Sequence, residues 1–96
     1  MASNTLDAIR VEFFGIPRQR AGVAQVDVPC DDSMSLNDLL AVLTRQFPDL
    51  AAECFRDGRI REGYIASLDG RQFVTDPSWD ISSGESLLIM SSDAGG

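Results

Sequence analysis

The chain is predicted to fold as an α+β domain, a mixed sheet of about five strands with one main helix packed across it. Three features of the sequence carry that reading. Several stretches alternate apolar and polar residues with period two, one stretch repeats leucines at helical spacing, and a late stretch is apolar on both sides. Residues 8–14 open the series. They set Ile9, Val11 and Phe13 on one face, and their branched and aromatic content suits a strand with one side on a core. Gly15-Ile16-Pro17 breaks the alternation, and a turn rich in Arg and Gly runs to Gly22. Residues 24–28 then alternate again until Pro29, so the opening reads as a hairpin.

The main helix follows. Ser35 and Asp38 form an S-x-x-D pattern in which the serine hydroxyl accepts from backbone N–H groups left without partners at a helix start. Leu36, Leu39, Leu40, Leu43 and Phe47 continue at the spacing of one buried stripe. Pro48 stops the helix because it restricts Phe47 and supplies no N–H. A short further turn is expected over 50–55, capped by Asp49. Asp57-Gly58 marks a turn in the polar connection 56–63, and residues 64–68 resume strand character. Asp69-Gly70 is a type I′ hairpin signal, with 72–74 as the returning strand. An irregular stretch runs from Asp76-Pro77 to Glu85, anchored by Trp79 and Ile81. Residues 87–90, Leu-Leu-Ile-Met, are apolar on both faces and therefore belong at the centre of a sheet. The simplest closure lays the first and last strands side by side and parallel, with the helix across one face. That arrangement is the β-grasp fold.

Composition narrows the function. The 96 residues make one small domain, taken as 1–90 followed by a flexible tail over 91–96 that ends Gly-Gly. No apolar run approaches the roughly 18 residues of a membrane span, and the start lacks the pattern of a signal peptide. A cytoplasmic location is expected. A net charge of -7 repels phosphate backbones and anionic lipid, so neither nucleic acid nor membrane is an expected partner. All eight basic residues are Arg, and His is absent. Cys30 and Cys54 have neither metal-ligand spacing nor a histidine to activate them, and read as structural thiols. No bound metal or cofactor is expected. The carboxylates are scattered, no Gly-rich phosphate loop occurs, and the serines lack a base. The chain is not expected to be an enzyme.

The last five residues, Ser92-Asp93-Ala94-Gly95-Gly96, follow almost directly from the apolar strand. With glycine near 7% of average usage, a Gly-Gly end arises by chance in roughly one chain in 200. A terminal carboxylate is ionised at neutral pH and is a poor electrophile, so it reacts with a nucleophile only after activation, for example by adenylation. Residues without bulk suit a tail that threads a narrow active-site channel.

The opening strand Val11-Glu12-Phe13-Phe14, Arg18, Ala21-Gly22, the helix ending at Phe47-Pro48, Asp69-Gly70, Gly84-Glu85 and Gly95-Gly96 together resemble the MoaD/ThiS family of ubiquitin-like sulfur carriers. The small subunit of molybdopterin synthase is the nearest in length and pattern. The resemblance implies that Gly96, presented by Gly95, is the working residue. An ATP- and magnesium-using E1-like enzyme would adenylate its carboxylate, and a sulfur donor would convert it to a thiocarboxylate. Asp93 and Ala94 would enter a partner with the tail, the large molybdopterin synthase subunit or an equivalent acceptor. Phe14, Leu88 and Met90 would form the apolar patch shown to both enzymes, and Arg18 would meet a partner carboxylate. Alternation turns Phe13 and Phe14 opposite ways, which leaves Phe14 as the exposed member.

Ser91-Ser92-Asp93 stands where many molybdopterin-type members carry Pro-Pro, so the pathway stays open. Sulfur delivery to cysteine, thiamine or specialised-metabolite synthesis is one alternative. A ubiquitin-like protein modifier is a second, and a non-conjugating β-grasp interaction module is a third.

Overall fold

The computed structural model describes residues 7–92, and within them the alternating segments build one sheet. Strand β1 (Ala8–Phe13) buries Ile9, Val11 and Phe13 on one face. It pairs antiparallel with β2 (Gln25–Pro29) in the register Ile9↔Val28 and Val11↔Val26. On its other side β1 runs parallel to β9 (Ser86–Ser91), with Val11↔Leu87 and Phe13↔Ile89. Strand β9 also pairs antiparallel with β6 (Tyr64–Leu68), which turns through Asp69-Gly70 into β7 (Gln72–Phe73). The sheet order is β2-β1-β9-β6-β7, so the strand that is apolar on both faces lies in the middle. Parallel first and last strands at the centre of a mixed sheet, with helices on one face, make this the ubiquitin-like β-grasp fold.

Helix α2 (Leu36–Gln46) begins where the pattern predicts, with Ser35 Oγ accepting from Asp38 N–H at 3.0 Å. Two more of its early N–H groups donate to the Trp79 and Pro77 carbonyls, each at 2.8 Å, so the loop before β9 completes the helix start. Leu36, Leu39, Leu40 and Leu43 are buried in the same core as the inward residues of β1, β9 and β6. Phe47 meets Phe13 edge-on, ring centroids 5.7 Å apart. Pro48 stops α2 as expected and also opens α3 (Pro48–Cys54), which is longer at its start than the turn over 50–55. Asp49 does not cap it; Phe47 stands at that position without a side-chain bond. Proline is tolerated in a first helical turn, where an N–H has no partner in any case.

Two other expectations are corrected. The connection between β1 and β2 is not a hairpin turn but a helix, α1 (Ile16–Ala21), framed by Gly15 at φ 67° and Gly22 at φ 81°. Both glycines sit in backbone regions that other residues rarely adopt. The stretch before β9 is not wholly irregular, since β8 (Asp80–Ser82) pairs antiparallel with β3 (Ser33–Ser35), setting Met34 opposite Ile81. Ile81 is an anchor there, fully buried, whereas Trp79 is 39% exposed and is not. Asp57-Gly58 turns between β4 (Phe55–Arg56) and β5 (Arg59–Ile60). Asp57 and Gly58, like Asp69 and Gly70, all have positive φ, as a type I′ turn requires. Cys30 and Cys54 are buried free thiols.

Candidate functional site

The helices cover one side of the sheet, and strand alternation assigns the other side by parity. That open face carries Glu12 from β1, Leu88 and Met90 from β9, Ile65 and Ser67 from β6, and Phe73 from β7. Register then arranges them in rows. Glu12, Leu88, Ser67 and Phe73 lie across four adjacent strands. One step further along, the parallel ladder continues as Phe14 N–H donates to the Ile89 carbonyl at 3.0 Å, which brings Phe14 level with Met90, itself opposite Ile65. Phe14 is 42% exposed and Phe73 is 68% exposed, while Leu88, Met90 and Ile65 are half-buried. An apolar row, Phe14–Met90–Ile65, therefore closes one end of the open face, with Leu88 and Phe73 behind it.

The chain leaves the sheet at this same end. Because β1 and β9 are parallel, β9 finishes beside the end of β1, and Ser91 pairs with Tyr64. Ser92 N–H then donates to the Gly63 carbonyl at 2.9 Å. The apolar row is thus the last part of the open face before residue 93.

Of the residues singled out from sequence, the structure brings Phe14, Leu88 and Met90 onto one face. Arg18 is on α1, which packs beside β9, and its side chain is exposed. The ion pairs among the described residues are Arg10–Asp27 and Arg20–Glu53, neither of which involves it. Asp93, Ala94, Gly95 and Gly96 lie outside the described residues. Ile65 and Phe73 were missed. Their signal was parity with Leu88 and Met90, which becomes readable only once the order and register of the strands are known.

A polar cluster beside the exit was also invisible in sequence. Tyr64 OH donates to Glu53 Oε2 at 2.6 Å, Arg20 Nη2 lies 3.5 Å from Glu53 Oε1, and Arg61 Nη1 donates to the Glu53 carbonyl at 3.2 Å. The cluster ties α1, α3 and β6 together. The hydrogen bond from Tyr64 holds the Glu53 carboxyl below its ordinary range, with the two arginines adding to the effect. The same bond pushes the Tyr64 phenol up to about 12. Burial, with the neighbouring Glu53 charge, pushes the Cys54 thiol up to about 11. No group of three or more His, Cys, Asp or Glu side chains placed to hold a metal ion occurs among the described residues, and no helix there is long and apolar enough to cross a membrane.

No protein-family model and no curated protein sequence matches the chain. Solved structures do match in fold. SAMP1 from Haloferax volcanii superposes with a TM-score of 0.78 at 21% identity, over 93% of this chain and 99% of that one. A Pyrococcus furiosus protein named for molybdopterin converting factor, subunit 1, gives 0.71 at 17% identity, over 88% and 95%. Urm1 from Trypanosoma brucei gives 0.70 at 19% identity, over 94% and 96%. These neighbours are ubiquitin-like proteins of the MoaD/ThiS type.

Proposed function

We propose that this chain is a ubiquitin-like sulfur carrier of the MoaD/ThiS type, working through the Gly96 carboxylate. The observation that carries the reading is the apolar row Phe14–Met90–Ile65 at the end of the sheet from which the chain runs on to Gly95-Gly96. A partner docked on that row has the last residues of the chain directed toward its own active site, and such docking removes apolar surface from water. The similarity in fold to carriers and modifiers supports the same reading.

The carboxylate is unreactive until an E1-like enzyme, using ATP and magnesium, joins it to AMP with release of pyrophosphate. A hydrosulfide equivalent from the sulfur donor then adds to the acyl carbon, AMP leaves, and a thiocarboxylate remains. Transfer of that sulfur to an acceptor and hydrolysis of the acyl group restore the carboxylate. The carrier is the co-substrate in each step, with the catalytic groups supplied by its partners. Asp93 and Ala94 accompany Gly95 and Gly96 into those partners, and Arg18 lies on the helix that packs beside β9. The acceptor proposed first is the large subunit of molybdopterin synthase, in the cytoplasm. Carriers serving cysteine, thiamine or specialised-metabolite synthesis would use the same chemistry.

The adenylation step has a direct assay. Isotope exchange between pyrophosphate and ATP, catalysed by a cognate E1-like enzyme, should depend on this chain and vanish when Gly95 and Gly96 are removed. Exchange that is unaffected by the truncation would overturn the proposal. A second reading, a protein modifier, is favoured by the names of the archaeal modifier neighbours. It predicts tryptic peptides in which Gly96 is joined to a lysine side chain of another protein.

A further inference from the structure

A carboxylate held as an acyl adenylate or thioester meets the nucleophiles of its own chain before any other. Lysine amines would be the main competitors, and the 96 residues contain none, all eight basic side chains being Arg. A guanidinium is not deprotonated in proteins and has no free lone pair with which to compete. Without histidine, the serine and threonine hydroxyls have no imidazole base to activate them. Among the side chains two thiols and one phenol remain, and the fold withdraws all three. Cys54 is fully buried and Cys30 is buried to 7% exposure. The Tyr64 hydroxyl is spent on Glu53 at 2.6 Å. Since the thiolate is the reactive form of cysteine, burial removes both access and ionisation at Cys54.

We propose that the side chains of this chain are inert toward its own activated carboxyl: none captures it, so with the α-amino group blocked the acyl group passes only to water or to a nucleophile brought by a partner, and no second copy is built on a side chain of the first. The attached copy offers no lysine on which a second could be built. This inference rests on activation at Gly96, but its test is independent of any activating enzyme.

The chain is prepared with Gly96 as an aryl thioester and its α-amino group acetylated, then held at mildly alkaline pH and followed by intact mass. The unaltered chain should lose its thioester only to hydrolysis, giving the free acid. Glu62→Lys places an amine on an exposed residue beside Gly63, to which Ser92 is bonded at 2.9 Å. Four residues beyond Ser92 span at most about 14 Å, which brings Gly96 within reach of that amine. Attack by the neutral amine forms a C–N bond, breaks the C–S bond, expels the aryl thiol and gives its proton to buffer. The variant should lose its thioester at least ~10-fold faster, to a cyclised product one water lighter than the acid, because the amine is tethered. Arg71→Lys, on the far edge of the sheet, should instead yield linked dimers at high protein concentration. Unfolding the unaltered chain in urea should release Cys30 and Cys54 and produce thioester-linked adducts that hydroxylamine cleaves. A self-adduct of the folded, unaltered chain mapped to Cys30, Cys54, Tyr64 or a hydroxyl would overturn the proposal. So would a Glu62→Lys thioester that decays no faster than the unaltered one. Because the thioester is made chemically, either result is separable from a failure of enzymatic activation.

Discussion

Phe13 and Phe14 are neighbours in sequence with opposite fates, and replacing each by alanine tests both the fold and the site. Phe13 is 1% exposed and packs edge-on against Phe47. Phe→Ala in such a core costs about 3–5 kcal/mol through lost burial and the cavity left behind. A domain of this size has a total stability of about 5–14 kcal/mol, so the loss is a large share of it. At roughly 4–8 °C per kcal/mol, the melting temperature of Phe13→Ala should fall by about 12–40 °C. Phe14 keeps 42% of its surface in water and borders only the open face. Its replacement should cost about 1 kcal/mol or less, since the unfolded chain also covers part of that ring. The activation assay should reverse the ranking. Phe14→Ala, folded and near its original midpoint, should need at least ~10-fold more protein to reach half-maximal pyrophosphate exchange, as burial of one aromatic at an interface is worth over 1.4 kcal/mol. Urea denaturation and the exchange assay on the same preparations give both numbers. Equal destabilisation by the two variants would refute the assignment of faces, and an unchanged half-saturation for Phe14→Ala would refute the docking row.

Other outcomes follow from the same contacts. Leu40→Ala, at a residue 1% exposed on the buried stripe of α2, should cost about 2–5 kcal/mol, and an unchanged urea midpoint would contradict the packing. Ser35→Ala removes the bond to Asp38 N–H and should cost about 0.5–2 kcal/mol, while Ser35→Asn should recover most of it. Tyr64 is the one tyrosine, so near-ultraviolet phenolate absorbance titrates it alone and should show it near 12 when folded, against 10.0 when unfolded. A raised phenol stabilises fully below pH 10.0 and loses that contribution as pH climbs through about 12. A lowered Glu53 contributes fully above its ordinary 4.5 and loses its share as pH falls through the folded value. The stability difference between the unaltered chain and Tyr64→Phe should therefore be flat between these limits and shrink on both sides. A difference that grows on the alkaline side would mean the phenol is not held by Glu53.

The legible part of the fold was the part dictated by periodicity. Ile9, Val11 and Phe13 alternate cleanly, the α2 leucines keep one stripe, and residues 87–90 are apolar on both sides, with Leu87 and Ile89 in the core and Leu88 and Met90 on the open face. Helix α1 escaped because its six residues complete fewer than two turns, too short a run for a buried stripe, and only Pro17 among them is buried. Its true signals were terminal, a proline just inside the start and a glycine just past the end. The β3–β8 pair escaped because three residues cannot display a period, and its partners are far apart in sequence. Trp79 illustrates a different failure: a large aromatic in an irregular stretch suggests an anchor, but Ile81 fills that place and leaves the indole at the surface. At the candidate site, Phe14, Leu88 and Met90 came from the resemblance to the carrier family, and alternation chose Phe14 over Phe13 as the exposed ring. Ile65, Phe73 and the Glu53–Tyr64–Arg20 cluster depend on tertiary juxtaposition, which no local pattern encodes.

The central claim is that the Gly96 carboxylate is a site of sulfur loading, and its most direct test is the intact mass of the chain. The chain would be incubated with ATP, magnesium, a sulfur donor and candidate E1-like enzymes, each of which thiolates a control carrier. The account predicts a mass increase equal to one oxygen replaced by one sulfur, abolished by removal of Gly95 and Gly96 and strongly slowed in Phe14→Ala. An unchanged mass with every enzyme that loads the control would contradict it and leave the chain as a β-grasp interaction module.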